Sequence, residues 1–465
     1  MLIGLAGCAA LPVGPAVPAE ADVPDGWSDT RSSPAATALA AWWMRFDDPT
    51  LSALIADALR ANTSVLGAQA ALRQARSLRD VSAAGLQPTL GSSASAQHGS
   101  SGGHSTGNSF QAGLDASWEL DIFGARRNAL AASDATALAS AASLGDVQVS
   151  VAAETALSYI TLRGAQSQQA IASDNLASQL QTLQITVWRA QAGLLSSLEA
   201  EQARAAAAQT QALLPTLQTK VQQAAHALAV LTGRPPAALA RLVARPAPVP
   251  QAAGELALSL PADTLRQRAD VRAAEQQVLA AQSRVAQADA ARWPSFRLGG
   301  SLGLNALSFS GLGQGSAVIT SLLAGVSLPL WDGGAARAQV RAQQAALDQT
   351  RASYRGTVLL ALQDVEDALV ALHNDRLRAT RLQAAATAAT NAATLARQRY
   401  TSGLVDFQTV LETQRSQLGA QDGLASVTAS VSADHVRLYK ALGGGWQADA
   451  AGAAAPSTEA RINPR

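Results

Sequence analysis

SFQAGLDASWEL, residues 109–120, alternates from end to end. Phe110, Ala112, Leu114, Ala116, Trp118 and Leu120 are apolar, and Ser109, Gln111, Asp115, Ser117 and Glu119 between them are polar. Successive side chains of a strand point to opposite faces, so such a strand offers one face to an apolar medium and one to water. Three other stretches read the same way. Leu90, Ala94 and Ala96 alternate with Thr89, Gly91, Ser93, Ser95 and Gln97. Phe296, Leu298, Leu302 and Leu304 alternate with Ser295, Arg297, Gly299, Ser301 and Gly303. Leu322, Ala324, Val326, Leu328 and Leu330 share one face of the fourth. Alternation sustained over about 10 residues is the mark of a membrane β-strand.

Trp118, Phe123, Trp293, Phe296 and Trp331 fall at strand ends, where amphipathic rings favour the membrane interface. The connections His98–Asn108 and Asn305–Gln314 are rich in Gly and Ser and read as external loops. Four strands cannot close a barrel, because small membrane barrels need about eight. An open sheet edge in lipid leaves backbone groups unpaired at several kcal/mol each. Subunits must therefore share one barrel; this argument requires an oligomer without choosing its number.

From Gly124 to about Ala190, and again from Ala335 to about Thr401, there is no proline and little glycine. Each stretch is roughly 100 Å long if continuously helical. Val358, Leu362, Val365, Leu369 and Leu372 are spaced four, three, four, three, and Leu176, Leu180, Leu183 and Val187 keep that rhythm. This is the seam of coiled-coil packing, and alanine beside it lets further faces pack closely.

The chain reads as a duplication with an offset of roughly 210 residues, beyond solenoid periods. Gly124-Ala125-Arg126 matches Gly334-Ala335-Ala336, Gly193-Leu194-Leu195 matches Gly403-Leu404-Val405, and Leu231-Thr232-Gly233 matches Ala441-Leu442-Gly443. Pro88 and Pro294 correspond with a small shift. A Pro-rich linker, Pro235–Pro261, joins the copies and suits an extended crossing. Ala9–Ala36 reads as a tether and Gln447–Arg465 as a disordered tail.

Of the 465 residues, 48% are hydrophobic but only 4% aromatic and 15% charged, which favours long, closely packed helices over a bulky globular core. A formal net charge of +1 leaves no electrostatic footprint for nucleic acid. The single cysteine, Cys8, excludes an internal disulfide. Its context, Leu5-Ala6-Gly7-Cys8, is similar to the lipobox of bacterial lipoproteins, which makes Cys8 the expected lipid attachment site. Met1–Gly7 carries no Lys or Arg and is short for a signal peptide, so the true start is expected upstream. Zinc-spaced ligands, a phosphate loop and a nucleophile elbow are absent, so no enzyme, cofactor or metal is expected. His98 and His104 flank a Gly/Ser stretch without further ligands, and His226, His373 and His435 lie in helical stretches as packing or surface residues.

Asp48-Pro49-Thr50-Leu51 through Ala58-Leu59-Arg60-Ala61-Asn62, Trp118 through Gly124, Leu265 through Arg272, Leu328-Pro329-Leu330-Trp331-Asp332-Gly333-Gly334 and Arg399-Tyr400-Thr401-Ser402-Gly403-Leu404-Val405 occur in that order. Over roughly residues 40 to 445 they resemble the TolC-like outer-membrane factor family, in its lipoprotein branch. One departure is Ala269, where the family usually has proline. The resemblance implies an α+β membrane protein: a trimeric outer-membrane β-barrel of four strands per subunit, continued by a long α-helical periplasmic barrel. Around it would run an equatorial belt of terminal segments. It further implies a passive duct for small molecules, docked to a periplasmic adaptor that links it to an inner-membrane transporter. The competing reading, a periplasmic coiled-coil scaffold or adaptor, would lack alternating strands.

The expected organisation is a truncated signal and lipobox at 1–8, a tether and equatorial segment at 9–47 and a first repeat at 48–234 with strands near 89–97 and 109–120. A linker at 235–261, a second repeat at 262–445 with strands near 295–304 and 316–328, and a tail at 446–465 complete it. Two turns, Gly193-Leu194 and Gly403-Leu404, are expected to be periplasmic tips, each glycine capping a long helix and each leucine contacting the adaptor. Gln408, Glu412 and Arg415, spaced four and three, share a helix face just past the second tip. The family closes its tunnel there with a leucine, an acid and an arginine, which makes these three the expected periplasmic gate. Glutamine in place of leucine weakens a hydrophobic constriction, and a ring of Glu412 would favour cations.

Overall fold

In this computed structural model the described residues are 27, 39–101, 105–253 and 261–446, so Cys8, His104 and residues 447–465 lie outside them. The elements run α1 (Pro49–Ala61), α2 (Thr63–Ala84), β1 (Thr89–Ser101), β2 (Ser105–Leu120), α3 (Ala125–Gln191), α4 (Ser197–Leu231), α5 (Ala240–Val243), α6 (Pro261–Gln267), α7 (Ala269–Ala290), β3 (Ser295–Ala306), β4 (Val318–Ser327), α8 (Ala335–Thr401) and α9 (Phe407–Ala441). The described residues of one compact unit fall in Ala70–Ala141 and Arg272–Thr357; the other takes the stretch up to Gln69, Ala142–Val271 and Val358 onward.

In the first unit one antiparallel sheet runs β1-β2-β3-β4. Register places Leu90 opposite Ala116, Leu114 opposite Leu302, Trp118 opposite Leu298, and Leu298 opposite Ala324. Directly opposed residues share a face, so the apolar sets of all four strands fall on one side. Residues 98–101 and 105–108 are strand, not the loop their Gly/Ser content suggests. β1 and β2 stay paired out to Ser101↔Ser105, because ladder hydrogen bonds use backbone and need no side chain. Between β3 and β4, the chain makes two 3-10 turns, Phe309–Gly313 and Gly315–Ala317.

Aspartates start the two long helices. Asp121 accepts from Arg126 N at 3.0 Å and Arg127 N at 2.8 Å at the head of α3. Asp332 accepts from Gly334 N and Ala336 N, both at 2.8 Å, at the head of α8. These backbone bonds to Ala336 and Gly334 hold the Asp332 carboxyl below its usual pKa.

The second unit has its core where α1, α3, α4 and α9 meet, around Trp42, Leu51, Ile55, Tyr159, Leu228 and Tyr439. Trp42 stacks on Tyr439 at 5.3 Å between centroids. Asp48 caps α1 through Thr50 N and Leu51 N, Pro49 fits the first helical position, and Tyr159 Oη donates to the second Asp48 oxygen at 2.8 Å. Trp27 is buried against Val365, Leu369 and Leu438.

Two expectations change in this unit. The linker does not begin extended: Pro236–Leu239 and α5 form helical turns, since proline presets the φ of a first turn. Its later part is strapped down, with Arg163 Nη1 donating to Arg245 O at 2.8 Å, Ser432 Oγ to Pro250 O at 2.7 Å, and Ala253 N to Arg45 O at 2.9 Å. Trp446 belongs to the packed unit rather than to a tail. Its Nε1 donates to Gln267 O at 3.0 Å, and its ring fills the space a Cβ on Gly145 would need.

Candidate functional site

The sheet is the first functional surface. Leu90, Leu114, Leu302, Leu322 and Val326 leave their apolar face exposed within one chain. The opposite face carries mostly Ser, Gly, Gln and Asn, with Asp115, Glu119 and Arg297 toward one end, and with Ile319 and Leu323 as apolar exceptions on β4. From Phe110 to Leu120, at roughly 3.3 Å per residue and a membrane-barrel tilt of about 40°, the strand rises about 25 Å. That matches the height of a barrel's apolar band.

At the helix end of the sheet, Phe123 stacks on Trp293 at 5.6 Å and meets Phe296 at 6.4 Å. Trp118 anchors its ring by donating to Leu86 O at 3.0 Å, and Trp331 stands 92% exposed. The other end carries aromatics that were not singled out as interface residues: Phe110 and Phe309 meet edge to face at 6.1 Å. The signal was present, since Phe309 follows the strand by a few residues, but it lay in a segment read as polar loop.

The two tips are built alike. Gly193 has φ +73° and Gly403 φ +72°, in the left-handed region that only glycine enters freely. Leu194 N donates to Arg189 O at 2.9 Å and Gly193 N to Ala190 O at 3.0 Å; Leu404 N donates to Arg399 O at 2.8 Å and Gly403 N to Tyr400 O at 3.0 Å. Each pair is a Schellman closure. Ser196 and Asp406 then cap α4 and α9. Leu194 is 72% and Leu404 74% exposed. Sequence reasoning missed what joins the tips. Arg189 donates to Tyr400 O at 3.0 Å and Thr401 O at 2.9 Å, with its guanidinium 4.6 Å from the Tyr400 ring centroid.

Gln408, Glu412 and Arg415 share the exposed side of α9, whose other side buries Phe407, Val410, Leu411 and Gln414. Gln408 Nε2 donates to Gln202 Oε1 of α4 at 2.8 Å. Glu412 and Arg415 make no ion pair with each other among the described residues.

One seam differs from expectation. Val358, Val365, Leu369 and Leu372 are buried as the rhythm predicts. On α3, however, Leu180 is exposed, and the buried stripe is Ala172, Asn175, Gln179, Thr182 and Thr186. Hydrogen bonds make this possible: Asn175 Nδ2 donates to Gln421 Oε1 at 2.8 Å and Gln414 Nε2 to Thr182 Oγ1 at 3.1 Å. A hydrophobic count cannot see a polar seam. His435 is likewise no ordinary packing residue. It is buried beside Arg376 at 3.2 Å, and burial followed by the charges of Arg376 and Arg45 pushes its imidazole down to about 4. His98 Nδ1 meets Asn108 Oδ1 at 2.7 Å. No described helix is long and apolar enough to cross a membrane, and among the described residues no three or more His, Cys, Asp or Glu side chains converge on a metal site.

Comparison with known proteins agrees with this geometry. The outer membrane efflux protein family model matches residues 54–234 and 260–444. The chain is 33% identical over 440 residues to the pyoverdine export outer membrane protein OpmQ of Pseudomonas putida, covering 92% of this chain and 93% of that protein. It is 30% identical over 433 residues to nodulation protein T of Rhizobium leguminosarum bv. viciae, covering 93% and 90%. Among solved structures, the outer-membrane channel OprN matches with TM-score 0.84 and 34% identity, covering 92% of this chain and 99% of that one. The Neisseria gonorrhoeae MtrE channel in its open state matches with TM-score 0.81 and 26% identity, covering 91% and 96%. An apolar-faced sheet and a twice-repeated helical hairpin are what this family is made of, and the chain belongs to it: an outer membrane efflux protein, a TolC-like channel subunit of tripartite efflux and export pumps, which conducts and does not catalyse.

Proposed function

We propose that three copies of the chain close one twelve-stranded barrel and act as the passive duct through which a tripartite pump moves small molecules from periplasm to exterior. The observation that carries this is the sheet itself, apolar on one register-aligned face with β1 and β4 as unpaired edges. In lipid those edges need partners, and the edge of a second copy supplies them without a clash of pattern. The number three rests on resemblance to the family.

Leu194 and Leu404 are the contact points for a periplasmic adaptor, which couples the duct to an inner-membrane transporter. Gln408, Glu412 and Arg415 line the gate, and copies of Glu412 near the axis bias it toward cations. Trp118, Phe123, Trp293, Phe296 and Trp331 hold the barrel at one lipid boundary. Cys8 carries a lipid anchor, tested by loss of fatty-acid labelling in Cys8→Ser. Relatives are named for pyoverdine export and toluene efflux, which supports small organic molecules as this chain's cargo class.

Mass measurement of the detergent-solubilised protein tests the assembly. A trimer is expected, and a monomer as the dominant intact species overturns the shared barrel. Single-channel recording of Glu412→Gln tests the gate separately: cation preference should fall, and unchanged selectivity removes the assignment while leaving the duct.

A further inference from the structure

The polar seam on α3 has one member without a partner. Asn175, Thr182 and Thr186 all hydrogen bond across to α8 or α9. Gln179, only 5% exposed, has no hydrogen-bond partner, and its Oε1 is sealed from water. A buried, unsatisfied amide is costly, so its presence calls for a function.

Gln179 stands against a cleft of about 470 Å³ between α3, α4 and α9. Its apolar walls include Leu217 and Leu418, and Lys220 and Arg415 bring two cations to it. Asp422, also on the wall, is engaged by Gln168 Nε2 at 2.8 Å. Pro215 lies inside α4, between the lining residues Leu213 and Thr216. Proline removes one ladder hydrogen bond and crowds the preceding turn.

The repeat does not require any of this. At the 210-residue offset Pro215 corresponds to Ala425, Lys220 to Ser430 and Gln179 to Ala389. The second hairpin folds to the same length without them. The volume lies in the range of small-molecule sites, about 300–1,000 Å³.

We propose that this cleft binds a small amphipathic organic anion: an acidic group at Lys220 and Arg415, an apolar body on Leu217 and Leu418, and a polar group at Gln179. The glutamine's terminal torsion is soft, so its amide can present either oxygen or nitrogen. Asp422 beside the cations selects a monoanion over a dianion. The site does not involve the tips, and of the gate residues it uses Arg415 alone. Arg415 is shared with the proposed gate, so the test avoids it.

The probe is dansylglycine, which carries one carboxylate, a sulfonamide N–H and an apolar ring system. It is titrated into the full-length protein in lipid nanodiscs, with empty discs subtracted. One saturable site is expected. Gln179→Met, which removes the amide without changing volume much, should weaken binding about five-fold. Lys220→Glu, at an exposed position, should weaken it about ten-fold and reduce its salt dependence, Arg415 remaining in place. Circular-dichroism melting confirms that both variants fold. Equal binding by all three proteins, or no signal above empty discs, overturns the proposal. So does dye that fails to bind while Lys220 becomes shielded from amine-reactive labelling only when an adaptor is added, since that outcome makes the cleft a protein-docking surface.

Discussion

The two halves of the chain share a backbone and differ in what they bury. α2 and α7 have 22 residues each, α3 and α8 have 67, and α4 and α9 have 35. Gly233 and Gly443, closing the second helix of each hairpin, have φ +68° and +74°. Yet at equivalent places the first half holds Asn62, Ala224, Ala225 and Ala229, and the second holds Arg268, Asp434, His435 and Tyr439. The difference teaches that the turns fix the repeat while the side chains beneath them are free to diverge. The first half fills its junction with alanines beside a neutral Asn62; the second brings in the charges of Arg268 and Asp434 and two rings, His435 and Tyr439.

The largest effect should come from the glycines that hold both halves to one length. A Cβ on Gly233 would stand 2.5 Å from Ala61 O, a backbone atom that cannot give way, whereas a Cβ on Gly443 would stand 3.1 Å from Arg268 Cα. Both also incur the left-handed penalty of about 1–2 kcal/mol. Gly233→Ala is expected to cost about 4 kcal/mol and Gly443→Ala about 2–3, by thermal unfolding in detergent. Gly193→Ala, with open space around it, should cost only about 1 kcal/mol. Equal losses at all three would mean that the dihedral alone sets the cost and the clash adds nothing.

The next effect separates the junctions. Asn62 Nδ2 donates to Leu231 O at 3.0 Å, and Arg268 Nη1 to the equivalent Ala441 O at 2.8 Å. Arg268 also pairs with Asp270 at 2.7 Å and Asp364 at 3.0 Å. Removing a buried cation leaves its carboxylate and carbonyl unmet, so Arg268→Ala should cost about 3 kcal/mol. Asn62→Ala loses one carbonyl partner and the cap on Ser64 N, about 1–2 kcal/mol. If the two cost the same, the ion pairs around Arg268 contribute nothing beyond the shared carbonyl contact.

Most of the architecture was legible because it is written in periodicity and punctuation. Alternation located four strands, glycine marked both tips, and the unbroken runs set the long helices. Three features were not legible, each for a physical reason. The far reach of the first hairpin, from His98↔Asn108 to Ser101↔Ser105, pairs chiefly through backbone, which composition does not encode. The seam at Asn175, Gln179 and Thr182 is polar because cross-helix hydrogen bonds offset its burial, while a pattern search credits Leu176 and Leu180. The Arg189–Tyr400 clasp joins residues 211 apart, so only the fold brings them together.

The second half also carries a buried histidine whose response to acid can be tested. His435 titrates at about 4 in the folded protein, because burial and the facing Arg376 and Arg45 disfavour its charge. Unfolded, it takes its proton near 6.5. The folded state is therefore favoured above 6.5, and stability falls as pH drops from 6.5 toward 4. Between pH 7 and 4.5 the loss is about 2 kcal/mol. Asp434, whose carboxyl burial raises, works in the opposite sense and gains its proton first in the folded state. His435→Gln should flatten the slope of melting temperature between pH 7 and 4.5 whatever it does to the level. A slope unchanged by the substitution would show that the acid response comes from elsewhere.

The smallest effect on stability, and the sharpest on export, should fall at the tips, where the halves are most alike. A leucine following a Schellman glycine ordinarily packs back on its own helix. Leu194 and Leu404 instead stand open at 72% and 74% exposure, although the turns beneath them are closed by the same two bonds. An apolar side chain held away from its own helix at both tips fits a partner that covers both. Leu194→Asp and Leu404→Asp touch nothing buried, so melting should move by no more than about 0.5 kcal/mol in either. Export, followed as retention of a fluorescent pump substrate in cells, should fall to the level of cells lacking the protein in both variants. Loss at one tip only would break the equivalence of the halves at their most similar point and assign the adaptor to that hairpin. Full export in both would leave the two leucines without a partner and remove the docking role from the tips.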